Sequence, residues 1–225
     1  MREGGIMDQL VELGPAEATR VEGTPHEVIQ AAALFLRDGI APVRMTDIAD
    51  AAGIGVATLY RRYGTKTTLA IMAGTYLWQR INERILQSVE SDEFLAMDGA
   101  ARLTMLFGCY LDAYADHPGF VRFLDEFDHL VLAEGVEAAE LAAYGEAIDS
   151  FYLIFEDAYQ LGCADGTVTR AVDFPVLYRT VAHAMMGVAQ KLVHREIIPS
   201  DDFSHGTDEL RCLVQMTRFT LGITD

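Results

Sequence analysis

A short stretch near the amino terminus concentrates side chains that can bind phosphate or read the edges of bases. Tyr60 carries a hydroxyl that can contact a phosphate, and Arg61 and Arg62 are long cations suited to phosphates or guanine edges. Lys66 stands where a long helix is predicted to begin, so its charge adds to the N–H groups and dipole of the helix terminus. These residue types favour a surface that binds phosphate groups.

Two short helices and a tight turn are predicted to position these side chains. Apolar residues from Met45 to Ala52 repeat at helical spacing, Gly53 permits the chain to turn, and a second short helix covers Val56–Tyr63. This is the geometry of a helix-turn-helix, whose second helix enters the major groove of DNA. Small helices with alanine and glycine at their contact also occur in other bundles, so this feature alone leaves that alternative open.

Another helix is predicted to precede this pair. Thr24 suits its N-cap, and Glu27, three residues later, would complete a capping box. The helix is expected to end at Gly39, a residue suited to the left-handed conformation. Leu59 and Tyr63 are predicted to face inward and to hold the second short helix in place.

The apolar pattern remains helical to the end of the chain, so the predicted fold class is all-α. We expect about nine helices, three short ones followed by six that are mostly longer, with Gly162 and Ala164-Asp165-Gly166 breaking a long one. Residues 1–23 are interpreted as a flexible acidic arm and 24–70 as a three-helix DNA-binding domain. Helix four, at about 66–90, links it to a larger helical domain over 71–225.

The front of the chain carries a specific set of motifs. In chain order these are Ile48-Ala49, Ala52-Gly53-Ile54, Thr58-Leu59-Tyr60, Tyr63 and Lys66. With this pattern, residues 25–75 resemble the DNA-binding domain of the TetR family of transcriptional regulators. Over the remaining chain the similarity is one of architecture only, in the total length and the helical C-terminal part.

The resemblance implies a homodimer that binds double-stranded DNA, senses a ligand through its C-terminal domain and has neither catalytic activity nor a cofactor. The expected function is that of a repressor that binds a palindromic operator and responds to a small, largely apolar effector. Dimerisation, expected through the last two helices, also follows from DNA geometry, because two half-sites need two copies of the domain. The residues expected to contact DNA are Arg44, Thr46, Gly55, Val56, Ala57, Thr58, Tyr60, Arg61, Arg62, Thr65 and Lys66.

Two positions differ from the family pattern. Arg44 stands where a Thr is usual, and Gly55 stands where a Ser usually caps the second short helix, so one phosphate-binding hydroxyl is lost. Val56 and Ala57 offer no hydrogen bonds to bases. Direct base readout is therefore expected to be sparse, resting on Thr58 and the two arginines, on the first short helix, or on DNA shape.

The charge balance of the whole chain argues against a nucleic-acid partner. The sequence has 17 Lys and Arg against 34 Asp and Glu, a net charge of −17, whereas nucleic-acid binders usually carry a basic footprint. Residues 24–80 nevertheless contain six basic and four acidic residues, so they carry +2 and the rest carries −19. We expect a locally basic edge on an acidic body that weakens non-specific DNA binding.

Aromatic residues of the C-terminal part are candidates for an effector pocket. Each taken singly is more often a core residue, but as a set they are typical of a cavity for an apolar ligand. Acidic neighbours such as Asp128 and Glu156 would suit a cationic effector. The residues predicted to contact the ligand are Tyr110, Tyr114, Phe123, Phe127, Tyr144, Phe151, Tyr152, Phe155, Tyr159 and Met185.

Other functional classes have less support. Glu126 and His129 have the spacing used by di-iron bundles, but no second copy lies in a predicted helix, so no metal site is expected. The three widely spaced cysteines form no disulfide framework. No apolar run is long enough to span a membrane and no signal peptide is present, so we expect a cytoplasmic protein without membrane association. Two alternatives stay open: a DNA-bound regulator that docks a protein partner, and a helical metal-dependent enzyme.

Overall fold

The computed structural model describes residues 23–193 and 204–224, and the regular structure in these ranges is helical. The helices are α1 (His26–Asp38), α2 (Met45–Ala52), α3 (Val56–Tyr63), α4 (Lys66–Val89), α5 (Asp92–Leu95), α6 (Gly99–Asp116), α7 (Pro118–Ala133), α8 (Ala142–Asp165), α9 (Phe174–Val193) and α10 (Thr207–Leu221), with a 3₁₀ turn at Ala138–Leu141. The all-α fold class is confirmed. The predicted arm lies outside the described residues apart from Gly23, and no described helix is long and apolar enough to cross a membrane.

The helix that the sequence pattern missed is α5. Its four residues are too few for an apolar period to be visible. Local chemistry forms it instead, because the Ser91 hydroxyl accepts the N–H of Phe94 at 3.2 Å and caps the first turn. The Phe94 side chain is buried, and this burial stabilises the turn.

The described residues form two compact units. The first contains residues 23–84 together with 122–149, and the second contains 85–121, 150–193 and 204–224. The first unit therefore combines the three front helices with most of α4, most of α7 and the start of α8. The division into functional domains at residue 70 stays a prediction.

A column of aromatic rings fills the centre of the first unit. Phe35 of α1 stacks on Phe123 of α7 with ring centroids 6.3 Å apart, and Phe123 stacks on Phe127 at 5.7 Å. Phe127 in turn stacks on Tyr144 of α8 at 4.5 Å. These contacts attach α7 directly to the first of the front helices.

In the second unit, α6 begins directly against α8 at a pair of glycines. A Cβ on Gly99 would overlap the backbone N and Cα of Gly162 and would lie 2.8 Å from the carbonyl oxygen of Ala158. The N–H of Gly99 donates to Asp165 at 2.8 Å, so the start of α6 is bonded to the end of α8. The predicted break at Gly162 is wrong, because this residue is used for close packing inside α8. The other predicted break, at 164–166, is confirmed, because α8 ends at Asp165.

We predict that Gly99→Ala lowers the stability of the protein, because the new methyl group meets helix backbone that cannot move aside. The expected loss in the free energy of unfolding is about 3 kcal/mol. Gly108→Ala in the same helix is the matched control, because a Cβ there meets nothing within 4 Å. The control should be neutral or stabilising by up to about 1 kcal/mol. Thermal and urea unfolding measure both changes, and equal stability of the two variants would contradict the close contact.

Candidate nucleic-acid interface

The start of α2 is organised by Asp47. Its carboxylate accepts the backbone N–H of Arg44 at 2.8 Å and the Arg44 guanidinium at 2.8 Å. These bonds from Arg44 lower the pKa of Asp47 to about 2. A carboxylate in this position satisfies an N–H group at the helix terminus and complements the helix dipole. Arg44 itself remains exposed, but its charge already has a partner.

The turn between α2 and α3 has the geometry that the sequence predicts. Gly53 lies in the left-handed region with φ of 66°, and it ends α2. Gly55 is the extended N-cap of α3, and it contributes no hydroxyl group there. Its carbonyl accepts the N–H of Thr58 at 2.8 Å, which starts the helix.

One buried residue holds the body of α3, and the opposite face is open. Leu59 is fully buried, as predicted from its position. Ala57, Tyr60 and Arg61 are exposed at the spacing of a single helix face, with Tyr60 52% exposed. Val56 has intermediate burial. The predicted contact residues thus divide between this exposed face and the flanks of the helix.

The carboxylate of Glu27 anchors the end of α3. It accepts hydrogen bonds from Nη1 of Arg62 and, at 2.9 Å, from the hydroxyl of Tyr63, although Glu27 is only 5% exposed. The capping box predicted at Thr24 is therefore wrong: α1 starts after Pro25 without a side-chain cap. The physical reason is that a buried carboxylate needs strong donors, and α3 supplies two of them.

The pKa values at this contact reflect the balance of burial and hydrogen bonding. Burial alone would raise the pKa of Glu27, but hydrogen bonds from its own backbone N–H, from Arg62 and from Tyr63 leave that pKa below its ordinary value. Burial and the bond to Glu27 raise the pKa of Tyr63 to about 12. At neutral pH, Glu27 is therefore a buried anion that accepts from a neutral phenol and a cationic guanidinium.

Lys66 supports the loop between α1 and α2. Its ammonium donates to the carbonyl oxygens of Ile40 at 2.8 Å, Ala41 at 3.0 Å and Val43 at 3.1 Å. An ammonium group has three N–H donors, so these bonds use all of them. Lys66 therefore stabilises the loop, and its contact with a phosphate stays a prediction.

Glu126 of α7 binds the same loop from the other side. Its carboxylate accepts the backbone N–H groups of Ile40 and, at 3.2 Å, of Ala41. Gly39 permits this approach, because it has φ of 89° and a Cβ there would lie 2.6 Å from the carboxylate. Arg122, one turn earlier in α7, donates to the carbonyl oxygens of Leu36 and Arg37 at 2.9 Å each. We call the contacts that Lys66, Arg122 and Glu126 make with residues 36–43 the loop clamp.

Glu126, the acidic residue of the Glu-x-x-His spacing, binds the loop and not His129. The ring Nδ1 of His129 lies 2.7 Å from the backbone oxygen of Asp125, within its own helix, so the two side chains make separate local contacts. Within the described ranges, no group of three His, Cys, Asp or Glu residues could hold a metal ion.

Most basic residues of the front segment are bound within the protein. Arg37 pairs with Asp38, Arg44 with Asp47 and Arg62 with Glu27. Among the described residues 24–80, Lys66 is bonded to the loop and Arg80 is buried, whereas Arg61 is exposed and has no ion pair. The excess positive charge of this segment is therefore presented most openly by Arg61.

The remaining candidates lie at the edges of the two short helices. Thr46 is exposed in the first turn of α2, and Thr65 is exposed immediately before α4. The Thr65 hydroxyl accepts the N–H of Thr68 at 3.1 Å, so it caps α4 and satisfies one of its terminal N–H groups.

The ten candidate ligand residues fall into two groups. Phe123, Phe127 and Tyr144 belong to the aromatic column of the first unit. The other seven belong to the second unit, where Tyr110 lies 5.3 Å from the ring of Phe155 and 6.1 Å from those of Tyr114 and Phe151. That all ten residues contact one ligand stays a prediction.

Sequence reasoning missed Tyr178 in the second group. Its hydroxyl oxygen lies 2.7 Å from that of Tyr110, and its ring centroid lies 5.2 Å from that of Phe155. Burial raises the pKa of Tyr110 well above its ordinary value, so its hydroxyl is neutral. The apolar register through Phe174, Val181 and Met185 places a residue at 178 on the same face of α9, and this signal could have found it.

Residues 30–72 match the model of the bacterial regulatory proteins of the tetR family. The chain therefore carries a TetR-type domain at residues 30–72. The match covers the loop clamp residues Ile40, Ala41 and Lys66 as well as α2 and α3 in full. TetR-type transcription regulators bind DNA through this helix-turn-helix.

Solved structures extend the similarity of fold to the rest of the chain. A TetR-family regulator from Rhodococcus sp. has a TM-score of 0.57 with 16% identity, covering 85% of this chain and 96% of that one. A transcriptional regulator from Saccharomonospora viridis in complex with choline has a TM-score of 0.59 with 20% identity, covering 84% and 94%. The regulator FadR from Bacillus subtilis in complex with stearoyl-CoA has a TM-score of 0.51 with 12% identity, covering 88% and 95%. No curated protein sequence matches the chain.

We predict that Lys66→Met destabilises the first unit, because it leaves three loop carbonyls without their donor while retaining most of the side-chain volume. The free energy of unfolding should fall by about 1–3 kcal/mol. Arg61→Met, at an exposed cation of α3 that makes no ion pair among the described residues, is the control and should change it by less than about 0.5 kcal/mol. Urea denaturation followed by circular dichroism measures both. A similar small change in the two variants would show that the loop does not depend on the ammonium group.

Proposed function

We propose that the protein is a homodimeric, ligand-responsive repressor that binds a palindromic operator through α2 and α3. The observation that carries the proposal is the exposed face of α3, where Tyr60 and Arg61 project from a TetR-type helix-turn-helix. Two such helices, one from each copy, would occupy successive major-groove faces of the DNA. With few polar groups at Val56 and Ala57, recognition depends on the arginines and on DNA shape.

The loop clamp supports a route by which the C-terminal helices control DNA binding. Arg122 and Glu126 bind the end of α1 and the loop directly before α2, so a displacement of α7 would move the start of the helix-turn-helix. An effector would then shift the population between a DNA-competent arrangement and one in which the two domains are wrongly spaced. The size of this shift is limited by the difference in its affinity for the two states.

The aromatic group of the second unit supports a largely apolar effector. Tyr110 and its neighbours offer ring faces, and the hydroxyl of Tyr152 donates to Glu156 at 2.7 Å, which places a carboxylate beside the rings. The charge of −19 outside the front segment further favours a cationic group on the effector. The choline complex of the Saccharomonospora viridis regulator is consistent with such chemistry, whereas the stearoyl-CoA complex of FadR represents the anionic acyl alternative.

Dimerisation through α9 and α10 agrees with the apolar residues that these helices leave exposed. Val176 of α9 and Met216 and Phe219 of α10 are all more than half exposed in the single chain. Met185 and Ala189 are buried, so they belong to the inner face of α9 rather than to the dimer surface. A second copy would cover the outer residues and bring two DNA-binding domains together.

We predict that Arg61→Ala weakens DNA binding because it removes the open cation of α3. With a labelled fragment from upstream of the gene, affinity should fall about tenfold and the log–log salt slope should decrease by about 1. Arg37→Ala removes an equal charge from the same segment, but one that is already paired with Asp38, so its effect should be much smaller. Absence of wild-type binding at low salt would refute the proposed function.

We predict that apolar cations stabilise the protein against heat. Alkyl-trimethylammonium ions should raise the melting temperature more as their chains lengthen, because both the rings and the carboxylate would contribute. Fatty acids of the same chain lengths are the matched control. Stabilisation by the fatty acids with none by the cations would contradict the cationic preference and favour an acyl effector.

A further inference from the structure

The two adjacent arginines of α3 are held in different ways. Arg61 is exposed and makes no ion pair within the described part of the chain, so its guanidinium can follow any nearby phosphate. Arg62 has a side chain that is 51% exposed, yet its Nη1 donates to Glu27, whose side chain is only 7% exposed. One end of the Arg62 guanidinium is therefore attached inside the domain while the rest of it faces outward.

We propose that Glu27 is a positioning residue for DNA recognition, which directs the planar guanidinium of Arg62 at a base edge. The negative charge of Glu27 also neutralises that of Arg62 and so weakens the attraction of Arg62 to phosphate. The proposal rests on the DNA-binding function proposed above and assigns separate tasks to the two arginines. Arg61 supplies salt-dependent attraction to the backbone, and Arg62 supplies discrimination between sequences.

The geometry of the contact supports the first half of this division. A guanidinium is rigid and planar, so fixing one nitrogen restricts the directions in which its remaining N–H donors can point. Glu27 is itself fixed, because it lies buried on α1 and also accepts from Tyr63. A preorganised arginine loses less conformational entropy when it makes a bidentate contact with guanine than one that moves freely.

The charges support the second half. Each phosphate neutralised by a cation releases counterions and contributes about 0.9 to the slope of log affinity against log salt concentration. Arg62 and Glu27 together are neutral, so the pair releases few counterions when DNA approaches. Arg62 therefore adds little to non-specific affinity, and it contributes mainly when the correct base is present.

A purely structural role for Glu27 makes a different prediction. In that case Glu27 only fastens α3 to α1, and its loss would lower the melting temperature without altering the salt slope or the preference for the operator. The two roles are separable because DNA binding can be measured well below the melting temperature of each variant.

The test compares Glu27→Gln with Asp50→Asn, which removes the same negative charge from an exposed position of α2. Binding of the labelled upstream fragment, which stands for the operator, and of unrelated DNA of the same length is measured between low and physiological salt. Glu27→Gln should raise the non-specific salt slope by about 0.9, since one cation is released from its partner. It should also raise non-specific affinity severalfold and lower the ratio of operator to non-specific affinity about tenfold. Asp50→Asn should change the ratio by less than twofold.

Arg62→Lys provides a second measurement that does not depend on the folding of the Glu27 variant. It retains the charge and the partner but lacks the planar fork, so the affinity ratio should fall about tenfold with no change in salt slope. Equal behaviour of Glu27→Gln and Asp50→Asn, or a full affinity ratio in Arg62→Lys, would overturn the inference. Failure of the wild-type protein to bind any DNA would instead refute the proposed function, and the inference with it.

Discussion

A short helix that exposes one face to a ligand must be held from its other side, and this constraint organises the first unit. Helix α3 has eight residues and one buried side chain, Leu59, which is too little to stabilise it alone. The turn at Gly53 sets its direction, and the buried Glu27 carboxylate fastens its last turn to α1. The chain thereby leaves the face with Tyr60 and Arg61 open without losing the helix.

Charged side chains of the front segment also bind groups of the protein itself. Lys66 and Glu126 each bind backbone groups of one loop, so a segment without regular hydrogen bonds becomes a defined connection between α1, α4 and α7. Asp47 and Glu27 bind arginines that would otherwise add to a diffuse basic surface. The outcome is a domain with a modest positive charge whose cations differ in freedom, which suits discrimination better than strong non-specific attraction.

Helix boundaries around the turn were predictable because local chemistry decides them. The apolar residues of α2, the left-handed Gly53 and the inward Leu59 act within a few residues of one another. Glu27 illustrates the opposite case, since a capping box is the best local use of that residue and a contact with Arg62, 35 positions later, has no local signal. Gly162 likewise carries the pattern of a helix breaker, and only the approach of Gly99 explains why it lies inside α8.

The sequence by itself determined the all-α class, the helix-turn-helix and the separation of charge into +2 over residues 24–80 and −19 elsewhere. Periodicity, turn residues and composition are properties of the chain that need no partner in space. The tertiary structure decided which of those charges remain available, because ion pairing and burial depend on groups brought together from distant positions. Arg61, Arg62 and Lys66 look alike in the sequence, yet one is open, one is anchored and one holds a loop.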